Sequence, residues 1–129
     1  MPYVADTHAL VWFFTGSSRL GPSALQVMRQ ADAGQEVIII PTIVLGELMS
    51  ICKSGKASLD FLTTLEKLEA GDNYQIVPLD IATLKIADAI KAELEMHDRF
   101  IVATAQRFNA LVLTKDRVIT QSGTVKTIW

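Results

Sequence analysis

The sequence predicts an α/β fold, a single-domain α/β/α sandwich with a mainly parallel sheet. Strand-like apolar runs alternate with helix-like stretches from one end of the chain to the other. That alternation is the pattern of parallel strands joined by crossover helices. Val37-Ile38-Ile39-Ile40 is an unbroken β-branched run, which suits a strand covered on both faces. The chain has 129 residues, 50% of them apolar, enough for one domain, residues 1–129, with its own core.

The elements follow in order. Val4 and its neighbours form a short first strand, and Thr7 to Phe14 is helical and apolar. Gly21-Pro22-Ser23 opens a second helix, with proline tolerated in the first turn, running to Gly34. Val37–Ile40 is the second strand; Pro41 ends it, and Thr42 caps a helix to Lys53 that Gly55 stops. Ser58 caps the next helix, which has Leu59, Leu62, Leu65 and Leu68 along one side. Gly71-Asp72-Asn73 breaks it before the third strand, Tyr74–Val77. Asp80 caps a helix through Ile90, and Asp98 begins another that ends near Asn109. Ala110 to Thr114 is the fourth strand and Val125 to Trp129 an edge strand. No repeat, linker or low-complexity segment interrupts the series.

In a sheet of this kind ligands bind beyond the carboxyl ends of the strands. Asp6, Glu47, Asp98 and Asp116 all fall where an element meets that edge. Brought together they would repel one another unless a hard divalent cation sat among them, which points to metal-dependent phosphoryl chemistry. Each acid also has an ordinary reading. Asp6 and Asp98 can be helix N-caps, Asp116 a turn residue, and Glu47 part of a solvated stripe with Ser50 and Ser54. Their coincidence on one edge favours the functional reading. Thr114 can support a carboxylate or a metal-bound water through its hydroxyl, although a β-branched residue at a strand end needs no such role.

Other chemistries fit less well. His8 and His97 lack the spacing of a helical ligand pair, and no Cys–His pattern supports zinc. Gly16-Ser17-Ser18 marks a loop rather than a phosphate-binding motif. Cys52 is a lone cysteine beside Leu48, Met49 and Ile51, so it reads as a small core residue. The net charge of −2 does not advertise a nucleic-acid binder, but Arg19, Lys53, Lys56, Arg99, Lys115 and Arg117 can form a basic rim around an acidic site. No apolar run reaches the length of a membrane helix and no leader is visible at the N-terminus, so a cytoplasmic protein is expected.

The stretches Val4-Ala5-Asp6-Thr7-His8-Ala9-Leu10-Val11-Trp12, Leu45-Gly46-Glu47-Leu48, Asp98-Arg99-Phe100-Ile101-Val102-Ala103-Thr104-Ala105 and Leu113-Thr114-Lys115-Asp116 resemble the PIN-domain ribonucleases. The resemblance is nearest to the VapC-type toxins of VapBC toxin–antitoxin pairs. It implies an α/β/α sandwich and Mg²⁺- or Mn²⁺-dependent endonucleolytic cleavage of RNA. It carries the metal and catalytic roles to Asp6, Glu47, Asp98 and Asp116, with Thr114 in support. It also implies an antitoxin partner lying beside the helices from Thr42 to Lys53 and from Leu59 to Leu68, and a homodimer. Arg99 and Lys115 are candidate contacts to RNA phosphates. Glu95-Met96-His97 stands where the family often has a Gly- or Pro-containing loop. A solitary PIN nuclease without antitoxin, and an inactive module whose acidic edge captures a cation or a basic tail, are the alternatives. A phosphoacceptor receiver fits poorly: Asp6 is followed by Thr-His, and the third strand leads into Pro78-Leu79.

Overall fold

The computed structural model describes residues 2–129. Five parallel strands, β1 (Pro2–Ala5), β2 (Val37–Pro41), β3 (Tyr74–Val77), β4 (Leu111–Leu113) and β5 (Thr127–Ile128), form a sheet in the order β3-β2-β1-β4-β5. β1 is central, with Val4 facing Ile39 of β2 on one side and Val112 of β4 on the other. Ile38, Ile39 and Ile40 are all buried although successive side chains point to opposite faces, so both faces of β2 are covered.

The helices are α1 (Thr7–Thr15), α2 (Pro22–Asp32), α3 (Thr42–Ser54), α4 (Phe61–Ala70), α5 (Ile81–Ala89), α6 (Met96–Arg107) and α7 (Arg117–Gln121). A large core joins β1, β2 and β4 to α1, α2, α3 and α6. A smaller cluster, Ala87, Ile90, Val102, Ala103 and Ile119, ties α5 and α7 to α6.

The strand order sets the position of the site. From β1 the chain builds outward through β2 to β3, then returns to the other side of β1 for β4 and β5. The reversal falls between the carboxyl ends of β1 and β4, the edge at which open parallel sheets bind ligands. α6 ends at Arg107, just ahead of β4. β4 starts at the far edge, so α6 must begin at the carboxyl edge.

Several boundaries differ from the sequence expectation. Asp60, not Ser58, caps α4: its carboxylate accepts the Thr63 N–H at 3.0 Å and the Thr63 hydroxyl at 2.8 Å. Pro41 occupies the N-cap of α3, and Thr42 is already helical. α6 starts at Met96, so Asp98 lies in its first turn and is not the cap. β4 and β5 are shorter than expected. α7 has no sequence expectation; five residues are too few to show a helical period.

Candidate functional site

The structure places Asp6 directly after β1 and Asp116 just after β4, on either side of the strand-order reversal. Both are N-caps. Asp6 Oδ1 accepts the Ala9 N–H at 2.8 Å. Asp116 Oδ1 accepts the N–H groups of Val118 at 2.8 Å and Ile119 at 3.2 Å. Capping therefore engages Oδ1 of each carboxylate.

Thr114 joins the two acids. Its buried hydroxyl accepts the Asp116 N–H at 3.0 Å and lies close enough to the Asp6 carboxylate to favour its charged form. The Thr114 N–H is itself held in the β4–β5 ladder by Ile128 O. One rigid strand end thus fixes the spacing of both acids.

Asp98 completes the group from α6. Burial raises its pKa first, and the charges of Asp116, Glu95 and Asp6 raise it further against the opposing effect of His97. Asp6 is raised in the same way: burial dominates, the Thr114 and Ala9 hydrogen bonds and His8 oppose it, and Asp116 adds to it. Asp6, Asp98 and Asp116 thus lie within one another's electric field, where each charge disfavours the others.

Glu47 is not among the charges that act on Asp6 or Asp98; its contact is with His97, the residue before Asp98. Glu47 lies on α3, half-exposed, with Oε1 3.3 Å from His97 Nε2 on α6. This is an ion pair when His97 is protonated. Nε2 is buried and its contact lacks hydrogen-bond geometry. The pairing of His97 with Glu47 has no signal in the sequence, because it joins residues far apart in the chain on two separate helices.

Arg99 is a correction. As a candidate phosphate contact it would have to face the acidic edge. Instead Nη1 donates to the carbonyls of Ala87 at 3.1 Å and Ile90 at 2.8 Å, and Nη2 to that of Ala92 at 3.0 Å. These are carbonyls at the end of α5 and just past it, so the guanidinium closes that helix and shapes the turn into α6. Lys115 remains exposed between Thr114 and Asp116.

The donor set suits a hard cation: aspartate oxygens, with no thiolate among them. Among the described residues the buried side-chain polar atoms without a hydrogen-bond partner are Thr7 Oγ1 and His97 Nε2, which neighbour Asp6 and Asp98 in the chain. Buried polar atoms are ordinarily hydrogen-bonded in folded proteins. No three described His, Cys, Asp or Glu side chains already converge as a ready-made ligand set.

The PIN domain family model matches residues 3–123. The chain belongs to the PIN domain family. Solved PIN structures share its fold over nearly the whole length. The VapBC2 complex of Rickettsia felis bound to a promoter DNA fragment is 18% identical, with a TM-score of 0.70 covering 99% of this chain and 98% of that one. A toxin–antitoxin complex from Klebsiella pneumoniae is 17% identical, with a TM-score of 0.69 covering 98% and 96%. VapC20 of Mycobacterium tuberculosis, a toxin that cleaves the sarcin–ricin loop, is 14% identical, with a TM-score of 0.70 covering 96% and 97%. No curated protein matches the chain in sequence. At these identities the likeness is one of fold, and it agrees with the parallel sandwich expected from the sequence. No helix among the described residues is long and apolar enough to cross a membrane.

Proposed function

We propose that this PIN domain is a divalent-metal-dependent endoribonuclease and the toxin of a toxin–antitoxin pair. The observation that carries the reading is the placement of Asp6 and Asp116 at the two strand ends that flank the strand-order reversal, with Asp98 of α6 near enough to feel both charges. Asp6, Asp98 and Asp116 would hold Mg²⁺ or Mn²⁺, and Glu47 would hold a second ion or orient water. A bound ion of this kind lowers the pKa of water and offsets charge developing on a phosphodiester. Around it, Thr114 fixes the Asp6 carboxylate and Asp116 backbone, and Lys115 donates to a phosphate of the substrate. Single-stranded RNA is the natural substrate class, because its unstacked bases can be read.

The partner reading rests on two supports. The structural neighbours include toxin–antitoxin complexes. On the α3–α4 pair Met49 is 40% exposed and Leu62 65% exposed, apolar surface that an antitoxin segment would cover. Phe61, beside Leu62 in α4, is half-buried against the core, so Leu62 is the exposed anchor on this helix. A second exposed apolar group, Ile81, Leu84 and Met96 on α5 and α6, supports self-association as a two-fold dimer.

The test is cleavage of single-stranded RNA by purified protein with Mg²⁺ or Mn²⁺. Cleavage should stop with a chelator and return with either ion. Full cleavage in chelator, or none under any metal condition, contradicts the assignment.

A further inference from the structure

Beside the acidic edge lies a group of side chains that the metal chemistry does not use. Trp12, on α1, is half-buried, with its ring edge-on to Trp129 at 5.7 Å between centroids. Lys115 Nζ stands 4.7 Å from the Trp12 ring centroid, and Arg19 Cζ lies 6.0 Å from it. The His8 ring, one helical turn before Trp12, lies 5.2 Å away. His8, Arg19 and Lys115 are all exposed. Among the described residues none of the three forms an ion pair with a carboxylate. The charges of Arg19 and Lys115 are therefore not consumed within the fold.

The positions are specific. Lys115 sits between Thr114 and Asp116, and His8 follows Asp6 closely enough for its charge to act on that carboxylate. Long cationic side chains on a protein surface ordinarily sample many rotamers. An indole face restricts that sampling, and a distance below about 6 Å is the range in which the attraction is felt. Lys115 is well inside that range and Arg19 at its limit, so Lys115 is the more firmly placed.

Resting on the nuclease reading above, we infer that Trp12 is a positioning residue. It holds Lys115 and Arg19 as a two-point clamp for phosphates of single-stranded RNA flanking the acidic site. A polyanion approaching three carboxylates is repelled, and fixed cations at the rim offset that repulsion where the strand must enter. The indole acts through the cations and needs no contact with RNA of its own.

The experiment is fluorescence-anisotropy binding of a short single-stranded RNA across a salt series in chelator, with cleavage kinetics run beside it. Each lost phosphate contact should lower the magnitude of the salt slope by about 0.7. Lys115→Gln and Arg19→Gln should each show that loss, with KM raised more than kcat is lowered. Trp12→Leu should lower the slope as Lys115→Gln does, Trp12→Phe should restore part of it, and Trp12→Leu combined with Lys115→Gln should add little to either alone. Full additivity, or an unchanged slope in a folded Lys115→Gln variant, would overturn the clamp. Because Trp12→Leu removes core packing, its melting curve is compared with that of Trp12→Phe, and the two lysine and arginine variants decide on their own. Wild-type cleavage with unchanged variant slopes refutes the clamp and leaves the nuclease reading standing. Variant slopes that fall in a protein that binds RNA without cleaving it support the clamp and refute the nuclease.

Discussion

Asp6 and Asp80 perform the same backbone task in opposite electrical surroundings. Each caps a helix: Asp6 accepts the Ala9 N–H at 2.8 Å, and Asp80 accepts the Thr83 N–H at 3.0 Å. Asp80 is also held by Arg107, whose Nη1 lies 2.6 and 2.7 Å from its two oxygens. That ion pair and the cap lower the Asp80 pKa to about 2. Asp6 is instead half-buried beside Asp116 and Asp98, and its pKa rises. Capping needs one accepting oxygen and gains nothing from neighbouring acids. Asp80 therefore shows what a purely structural aspartate looks like in this fold. The surroundings of Asp6 disfavour its charged form, which is the condition that the proposed cation site would relieve.

The largest expected effect separates the two regions by activity. Asp6→Asn, Asp98→Asn and Asp116→Asn should each reduce RNA cleavage to background with the fold retained by circular dichroism, since asparagine can still cap. Asp80→Asn should leave cleavage intact. An active Asp98→Asn variant would remove that residue from the ligand set.

Thr114→Val should be milder. It keeps the shape of a buried residue and deletes the hydroxyl that links Asp6 to the Asp116 backbone. Loss of such a support should weaken metal affinity or activity by about 10- to 100-fold. Metal titration followed by cleavage checks it; wild-type behaviour would reduce Thr114 to a strand terminus.

The smallest effect is on stability against pH, measured without divalent ions. Asp80 has a lowered folded pKa, so its contribution is present above its ordinary value near 3.8 and is lost as pH falls towards about 2. Asp6 and Asp98 are raised, so the unfolded chain releases their protons first. Their effect is absent below about 3.8, and stability falls as pH rises through their raised folded values. Asp98→Asn should flatten the decline on the upper side, and Asp80→Asn should flatten the rise on the acid side. Identical pH profiles for both variants and wild type would erase the contrast.

Much of this was legible in the sequence because it rests on local rules. The β-branched run of β2, Gly55 after α3 and Pro22 at the start of α2 mark their elements without reference to the rest of the fold. The convergence of Asp6, Asp98 and Asp116 followed from topology, since strand ends and the start of α6 share one edge. What was not legible depends on side-chain reach across space. Arg99 looks like a phosphate ligand from its place beside Asp98, yet it bends back to the end of α5. The placement of Lys115 and Arg19 over Trp12 joins residues far apart in the chain with no shared period. α7 exists because Asp116 caps it, which five residues alone could not announce.

The central claim is that Asp6, Asp98 and Asp116 form a cation site, and thermal unfolding under increasing Mn²⁺ tests it most directly. A ligand that binds only the folded state stabilises it by about 2.7 kcal/mol at 100 times its Kd. The account predicts a saturable rise in the unfolding midpoint of the wild-type protein, starting from a lower cation-free midpoint than that of Asp98→Asn, and a flat response in that variant. An Asp98→Asn protein that responds to Mn²⁺ as the wild type does, or a wild type that does not respond, would contradict it.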